Sequence, residues 1–199
     1  CIDGAAEVAK SPKLVLERAA ILYNLAVAHW SRGMLLPKAD VEQIKTAARH
    51  FQIASGILDE VATFDVPAEL DAKAPLPAEL QPECAKALAL TMLAQAQECF
   101  CDKAQVDGMA VGTRIKLLLG ARDAYASASD AIAAAAASTP TATPLKRFKT
   151  WAEPPTRASQ YKSEARAFWL AANPSPTPGV GLGLALALRA QGAAARAVA

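Results

Sequence analysis

Thr91-Met92-Leu93-Ala94-Gln95-Ala96-Gln97-Glu98-Cys99-Phe100-Cys101-Asp102-Lys103-Ala104 reads as one long helix. Its centre, Ala-Gln-Ala-Gln-Glu, is unusual for a core helix. The small residues Ala94, Ala96 and Ala104 let neighbouring helices approach closely. Phe100 supplies a bulky anchor, and Lys103 follows one turn later on the same face.

The helix extends outward from this run. Pro82-Glu83 opens it and it continues to about Asp107, a length of about 40 Å at about 1.5 Å per residue. Gly108 marks a bend, and a further helix is predicted over 109–138, weakened locally by Gly112 and Gly120. Upstream, Ser11-Pro12 is a helix start with Ser as N-cap and Pro at the first position. Val15, Leu16, Ala19, Leu22, Tyr23, Ala26, Val27 and Trp30 then recur at three- and four-residue spacing to about Ser31, and Gly33 is expected to close the helix. Asp40 and Gln43 form a capping box for the next helix. Its stripe of Val41, Ile44, Ala48, Phe51, Ala54, Ser55, Leu58 and Val61 leads to Phe64. The short link through Pro37 makes these two helices antiparallel.

Proline punctuates the rest. Pro67, Pro75, Pro77 and Pro82 make 65–82 a Pro-rich loop, and Thr-Pro-Thr-Ala-Thr-Pro makes 139–144 a second. A fifth helical region over 145–173 is expected to split at Pro154-Pro155. After Pro174, Pro176 and Pro178 an Ala/Leu-rich helix is expected. Long helices with proline confined to junctions, and no strand-period segment, predict an all-α antiparallel array built as a solenoid or a bundle. No 34-residue repeat or tetratricopeptide consensus is present, yet antiparallel helix pairs are what the pattern demands.

The 199 residues, 53% hydrophobic and 20% charged, suit one domain with a sizeable core. A net charge of +2 argues against nucleic acid as a partner. Lys146-Arg147 with Lys149 is the densest basic cluster and reads as a solvated helix end. Cys1, Cys84, Cys99 and Cys101 contain no C-x-x-C pair and read as small buried thiols of a reducing cytosol. His29 and His50 lie on different helices without metal-ligating neighbours, so they read as structural, and no metal or cofactor is expected. The longest apolar stretches, 132–137 and 180–188, fall short of the roughly 20 residues of a membrane span, and no secretory signal is visible. Beginning at Cys1, the chain is expected to be a fragment of a longer protein.

The central run resembles the M-L-A-Q-A-Q-E-x-F-x-x-K-A stretch of the Bro domain, the banana-shaped helical module of Alix-type endosomal adaptors. Further motifs agree in order and spacing across about residues 15–170. Ala20-Ile21-Leu22-Tyr23-Asn24-Leu25-Ala26 is similar to the family's A-x-L-F-N-x-A helix. Lys45-Thr46-Ala47-Ala48-Arg49-His50-Phe51-Gln52-Ile53-Ala54-Ser55-Gly56 is similar to K-x-A-A-K-H-F-Q-x-A-S-G. Leu80-Gln81-Pro82-Glu83 resembles D-L-S-P-E, and Tyr161-Lys162-Ser163-Glu164-Ala165 echoes the helix that carries V-K-A-x-H-F. The resemblance implies a solenoid-like, tetratricopeptide-like helical core. Residues 1–199 are then a single partial Bro domain, with the N-terminal part and its β-hairpin missing. Pro154-Pro155 and the Pro-rich 174–178 segment depart from the family pattern.

Physical expectations stand beside the resemblance. Asn24, on an otherwise apolar helix, is expected to bond a neighbouring helix, and Gln95 and Gln97 likewise. Gly56 costs about 1 kcal/mol in mid-helix relative to Ala, so a crossing helix is expected to approach it closely.

The resemblance also implies a function. Such domains are non-catalytic scaffolds that bind a C-terminal amphipathic helix of the polymer-forming ESCRT-III subunit. They act in multivesicular-body sorting and membrane remodelling, in the cytoplasm and peripherally at endosomes. Recognition is helix-in-groove. Phe100 matches the family's aromatic anchor, Lys103 and Lys45 its lysines, and Leu117 an aliphatic residue of the groove. Thr113 stands where the family has an aliphatic residue, with Ile115 or Leu118 as possible compensation, and Val41 where an acidic residue is common. For Phe100 the competing reading is plain core packing. The competing function is a general helical interaction module with no ESCRT role. For an enzyme, no Ser-His-Asp set, Cys-His set or metal cluster can be assembled. Gly179-Val180-Gly181-Leu182-Gly183 follows no strand and precedes no Lys-Ser/Thr, so it is not a phosphate loop.

Overall fold

Five long helices run in series through a computed structural model that describes residues 12–64, 77–137 and 143–172. They are α1 (Pro12–Leu35), α2 (Val41–Val61), α3 (Pro82–Val106), α4 (Val111–Ala137) and α5 (Thr143–Ala172), with a 3-10 turn at Ala78–Leu80 before α3. Each helix packs chiefly on its neighbours in sequence, so the molecule is an all-α array. The described residues contain no strand.

Local chemistry sets several boundaries. Asp40 accepts from the Gln43 backbone N–H at 2.8 Å, and the Gln43 side chain answers by accepting from the Ala39 N–H at 3.1 Å. The reciprocal bond of the capping box thus falls one residue earlier than in its usual form. Pro82 occupies the first turn of α3. At the other end, Gly108 takes a φ of +62°. Its N–H bonds the Gln105 carbonyl at 3.2 Å, and the Met109 N–H reaches back to Ala104 at 3.0 Å. This pair of bonds is a Schellman turn, and it folds Met109 back against the helix that has just ended.

Two expectations about helix ends need correction. Gly33 does not close α1, which continues to Leu35. Gly33 is buried, and a Cβ there would lie 2.9 Å from the Phe51 ring, so its role is close approach to α2. Pro154-Pro155 does not split α5, which runs unbroken through both. Each proline removes one N–H from the helix ladder. Both are exposed, while Ala152, Thr156 and Ser163 are buried and hold the helix to the array. The Ser11 cap, residues 65–76 of the first Pro-rich loop, residues 139–142 of the second, Cys1 and the segment after Ala172 lie outside the described residues. Residues 143 and 144, assigned to the second loop, already belong to α5.

The core is centred on α3, which buries residues on both flanks, including Ala85, Leu88, Met92, Ala96 and Cys99. Phe51, Ile44, Leu58, Ile132 and Phe148 join it in the largest apolar cluster. Ala94, Ala96 and Ala104 are buried, so the small residues sit where neighbouring helices come close. Cys84, Cys99 and Cys101 are free thiols in this interior. Burial pushes Cys84 up to about 12 and Cys99 and Cys101 up to about 11.

Glu98 explains the polar centre of α3. Burial alone would raise its pKa, but Lys162 of α5 at 2.5 Å and a hydrogen bond donated by Tyr125 of α4 at 2.7 Å bring it below the usual value. Arg166 adds a bond to Asp102 at 2.9 Å. These contacts add a polar link between α3 and α5, whose backbones come close at few points.

Candidate functional site

Phe100 emerges on the outer side of α3, 41% exposed, so core packing does not account for it. Leu93 precedes it by two turns and is also exposed. The Schellman turn brings Met109 alongside. Together with Gln97, Lys103, Ala104 and Leu117, Phe100 and Met109 line an apolar hollow of about 380 Å³ between α3 and the start of α4. Of the six residues predicted for the site, Phe100, Lys103 and Leu117 therefore share one concavity.

The other three are placed around it. Thr113 is exposed in the first turn of α4, four residues before Leu117 and thus on the same face. Val41 is half-buried at the first position of α2, and Lys45 is exposed one turn later. None of these three lines the hollow itself. Leu118 does not supply the apolar floor that Thr113 lacks. It is buried against Cys101, Ala121 and Ala167, with Ile115 packed on the same cluster.

Both lysines already have carboxylate partners. Lys103 pairs with Asp107 one turn later on α3. Lys45 pairs with Glu42 at 2.7 Å. The Glu42 hydrogen bond raises the Lys45 pKa first, and the charge of Asp107 contributes as well. Asp107 thus acts electrostatically on both lysines, a role that the sequence reading missed. Gln97 and Met109 were missed too. Gln97 lies one turn before Phe100 on the same face, a spacing that could have identified it. Met109 needed the turn geometry at Gly108.

Expectations for other polar residues also changed. Asn24 is exposed and does not fix register within the core. The Gln95 Oε1 is buried with no hydrogen-bond partner. Gly56 is exposed with open space about it. His29 and His50 meet across α1 and α2 with Nδ1 atoms 2.9 Å apart, and the described residues hold no cluster of metal-ligating side chains. No helix among the described residues is long and apolar enough to cross a membrane.

Comparison with known proteins gives a consistent result. The profile of the BRO1-like domain matches residues 5–168. The pH-response regulator protein palA/RIM20 of Pyricularia oryzae is 37% identical over 112 residues, 56% of this chain and 13% of that protein. The ALG-2 interacting protein X of Dictyostelium discoideum is 29% identical over 112 residues, 56% of this chain and 14% of that protein. The chain therefore spans only a small part of these relatives. Among solved structures, ALIX in complex with the SIVmac239 PYKEVTEDL late domain superposes with a TM-score of 0.68 at 24% identity. That match covers 90% of this chain and 24% of the other, and it establishes a shared fold.

Proposed function

The chain belongs to the BRO1-like domain family, and on that premise we propose that it is part of a non-catalytic adaptor domain that binds an amphipathic C-terminal helix of an ESCRT-III subunit. The carrying observation is the half-exposed Phe100 in an apolar hollow with lysine at its edge. An amphipathic helix suits such a surface. Its apolar anchors enter between α3 and α4, and its acidic residues meet Lys103 and Lys45. On this reading the domain works in the cytoplasm, is recruited peripherally to endosomes, and serves multivesicular-body sorting and membrane remodelling.

The test is a titration of a labelled ESCRT-III C-terminal peptide against the whole chain. Phe100→Asp places a charge among apolar contacts and should cost several kcal/mol, on the order of 3 kcal/mol, with the helical spectrum unchanged. Lys103→Ala should cost about 1 kcal/mol, because it removes one partly exposed ionic contact. Thr113→Ile should strengthen binding by up to about 1 kcal/mol through added apolar area. Equal affinity for the parent chain and Phe100→Asp would remove the site. No binding by any variant, Thr113→Ile included, would favour a general helical interaction module.

A further inference from the structure

Two cavities lie end to end in the gap that α3 and α5 leave between them. The first, of about 360 Å³, is mainly apolar, with the exposed side chains of Met34 and Trp151 at its mouth. The second, of about 440 Å³, is polar, and Lys38, Glu98, Asp102, Lys162 and Arg166 line it. Tyr125 lines the first and donates at 2.7 Å to Glu98, which lines the second. Met34 to Lys38, Gln95 to Glu98 and Ser159 to Lys162 each step from the first cavity to the second. The two therefore make one groove, apolar at one end and charged at the other. Glu98 and Asp102 each stand two residues from Phe100, on nearly the opposite side of α3, so this groove is separate from the Phe100 hollow.

The charged end has one cation in surplus. Lys162 at 2.5 Å and Tyr125 satisfy Glu98, and Arg166 at 2.9 Å satisfies Asp102. Lys38 is half-buried and pairs with no carboxylate among the described residues. Its ammonium lies 5.8 Å from the centre of the Phe51 ring, at the outer edge of a cation–π contact. Its backbone takes a φ of +48°, in the left-handed region that disfavours a lysine. Strain of this kind, at a cation without a counter-ion, is what collects at ligand sites. A carboxylate from outside would balance the charge. The chain's own residues 173–199 do not supply a carboxylate side chain, since they contain Arg189 and Arg196 and no Asp or Glu. From Pro155 to Arg166 is about 16 Å along α5, a distance that an extended chain covers in about five residues.

We propose that this groove docks an extended segment of a partner protein in which an acidic residue stands about five positions from a large apolar one. The carboxylate meets Lys38 beside Lys162 and Arg166, and the apolar side chain enters between Met34 and Trp151. Charge complementarity selects the partner.

Selection of a randomised library of peptides about ten residues long on the whole chain tests it. The recovered peptides are then titrated against Phe100→Asp, Lys38→Gly and Trp151→Gln chains. Lys38→Gly removes the ammonium and keeps the left-handed turn without strain, so it leaves the fold intact. Groove peptides are expected to bind Phe100→Asp as they bind the parent chain. They should bind Lys38→Gly about tenfold more weakly, the scale of one charged contact, and Trp151→Gln likewise. Their sequences should hold Asp or Glu about five positions from Leu, Met, Phe or Trp. The Lys38 comparison decides even if Trp151→Gln does not fold. The proposal is overturned if Lys38→Gly weakens no recovered peptide, if the weakened peptides lack an acidic residue, or if Phe100→Asp weakens them equally. A dimer of the parent chain that Lys38→Gly dissociates would seat a second copy in the groove and overturn it as well.

Discussion

Gly33 and Gly56 stand on α1 and α2, and each is the wrong residue for a helix interior by propensity alone. Only Gly33 has a steric reason. The Phe51 ring, itself fully buried, occupies the space its Cβ would need. Gly33→Ala gains up to about 1 kcal/mol of helix propensity but overpacks a fixed ring, and a net loss of about 1 kcal/mol is expected. Gly56→Ala meets nothing and should stabilise by about 0.5–1 kcal/mol. Chemical denaturation of the two variants checks the opposite signs. The sequence pattern instead suggested a helix end at Gly33 and a close approach at Gly56. A mid-helix glycine shows its cost in the sequence, while the ring that occupies its space belongs to another helix.

Asp107 is the other residue whose consequence is specific. It pairs with Lys103 in the free protein, so an acidic ligand must displace it. Asp107→Asn keeps the shape of the helix end and removes the competing charge. The same peptide titration should then show tighter binding by about 0.5 kcal/mol, within the range of partly exposed ion pairs. Unchanged or weaker binding would mean that Lys103 does not meet an acidic group of the ligand.

Among the helices, α1 and α2 carry a pH-dependent contact. Burial lowers the His50 pKa below its ordinary value, and the neighbouring His29, Arg32 and Arg49 lower it further. The folded chain then binds fewer protons than the unfolded chain near and below that value. The stability tied to His50 is present above the ordinary histidine pKa of 6.5 and is lost as pH falls through the lower folded value. The melting temperature should drop between pH 7.5 and 5.5, and His50→Gln should reduce the drop. An equal drop in both chains would contradict this assignment.

Helices were legible where local chemistry announces them. Asp40 with Gln43, Pro82 at a first turn and Gly108 at a last one are all short-range signals, and the structure uses each of them. α5 was misread because its two prolines are also short-range signals, and there they are outweighed. Their exposed positions leave the buried side of the helix intact against α4. The site was legible in its anchor, since Phe100 and Lys103 share one helix face. Its surroundings were not, because Met109 arrives through a turn and Glu98 is held by residues of α4 and α5 far along the chain.

At the scale of the whole molecule, the outer face of α1 exposes three large apolar side chains beside the charged Arg18. Leu14, Ile21 and Leu25 recur at seven- and four-residue spacing and are 43%, 67% and 45% exposed. Large exposed apolar side chains clustered on one face promote association. The chain should therefore sediment with a concentration-dependent mass, and the double substitution Ile21→Glu with Leu25→Lys should return it to a monomer. A chain that is monomeric at every concentration would show that this stripe is tolerated by itself.

The central claim is that the array presents its ligand-binding face at the junction of α3 and α4. Amide chemical-shift mapping of the isotope-labelled chain, with the ESCRT-III peptide added in steps, tests it most directly. The account predicts that the shifts concentrate in residues 93–104 and 109–117, around Phe100, and that Phe100→Asp erases them. Shifts concentrated on α1 and α5 around Trp30 and Trp151, or none at saturating peptide, would contradict it.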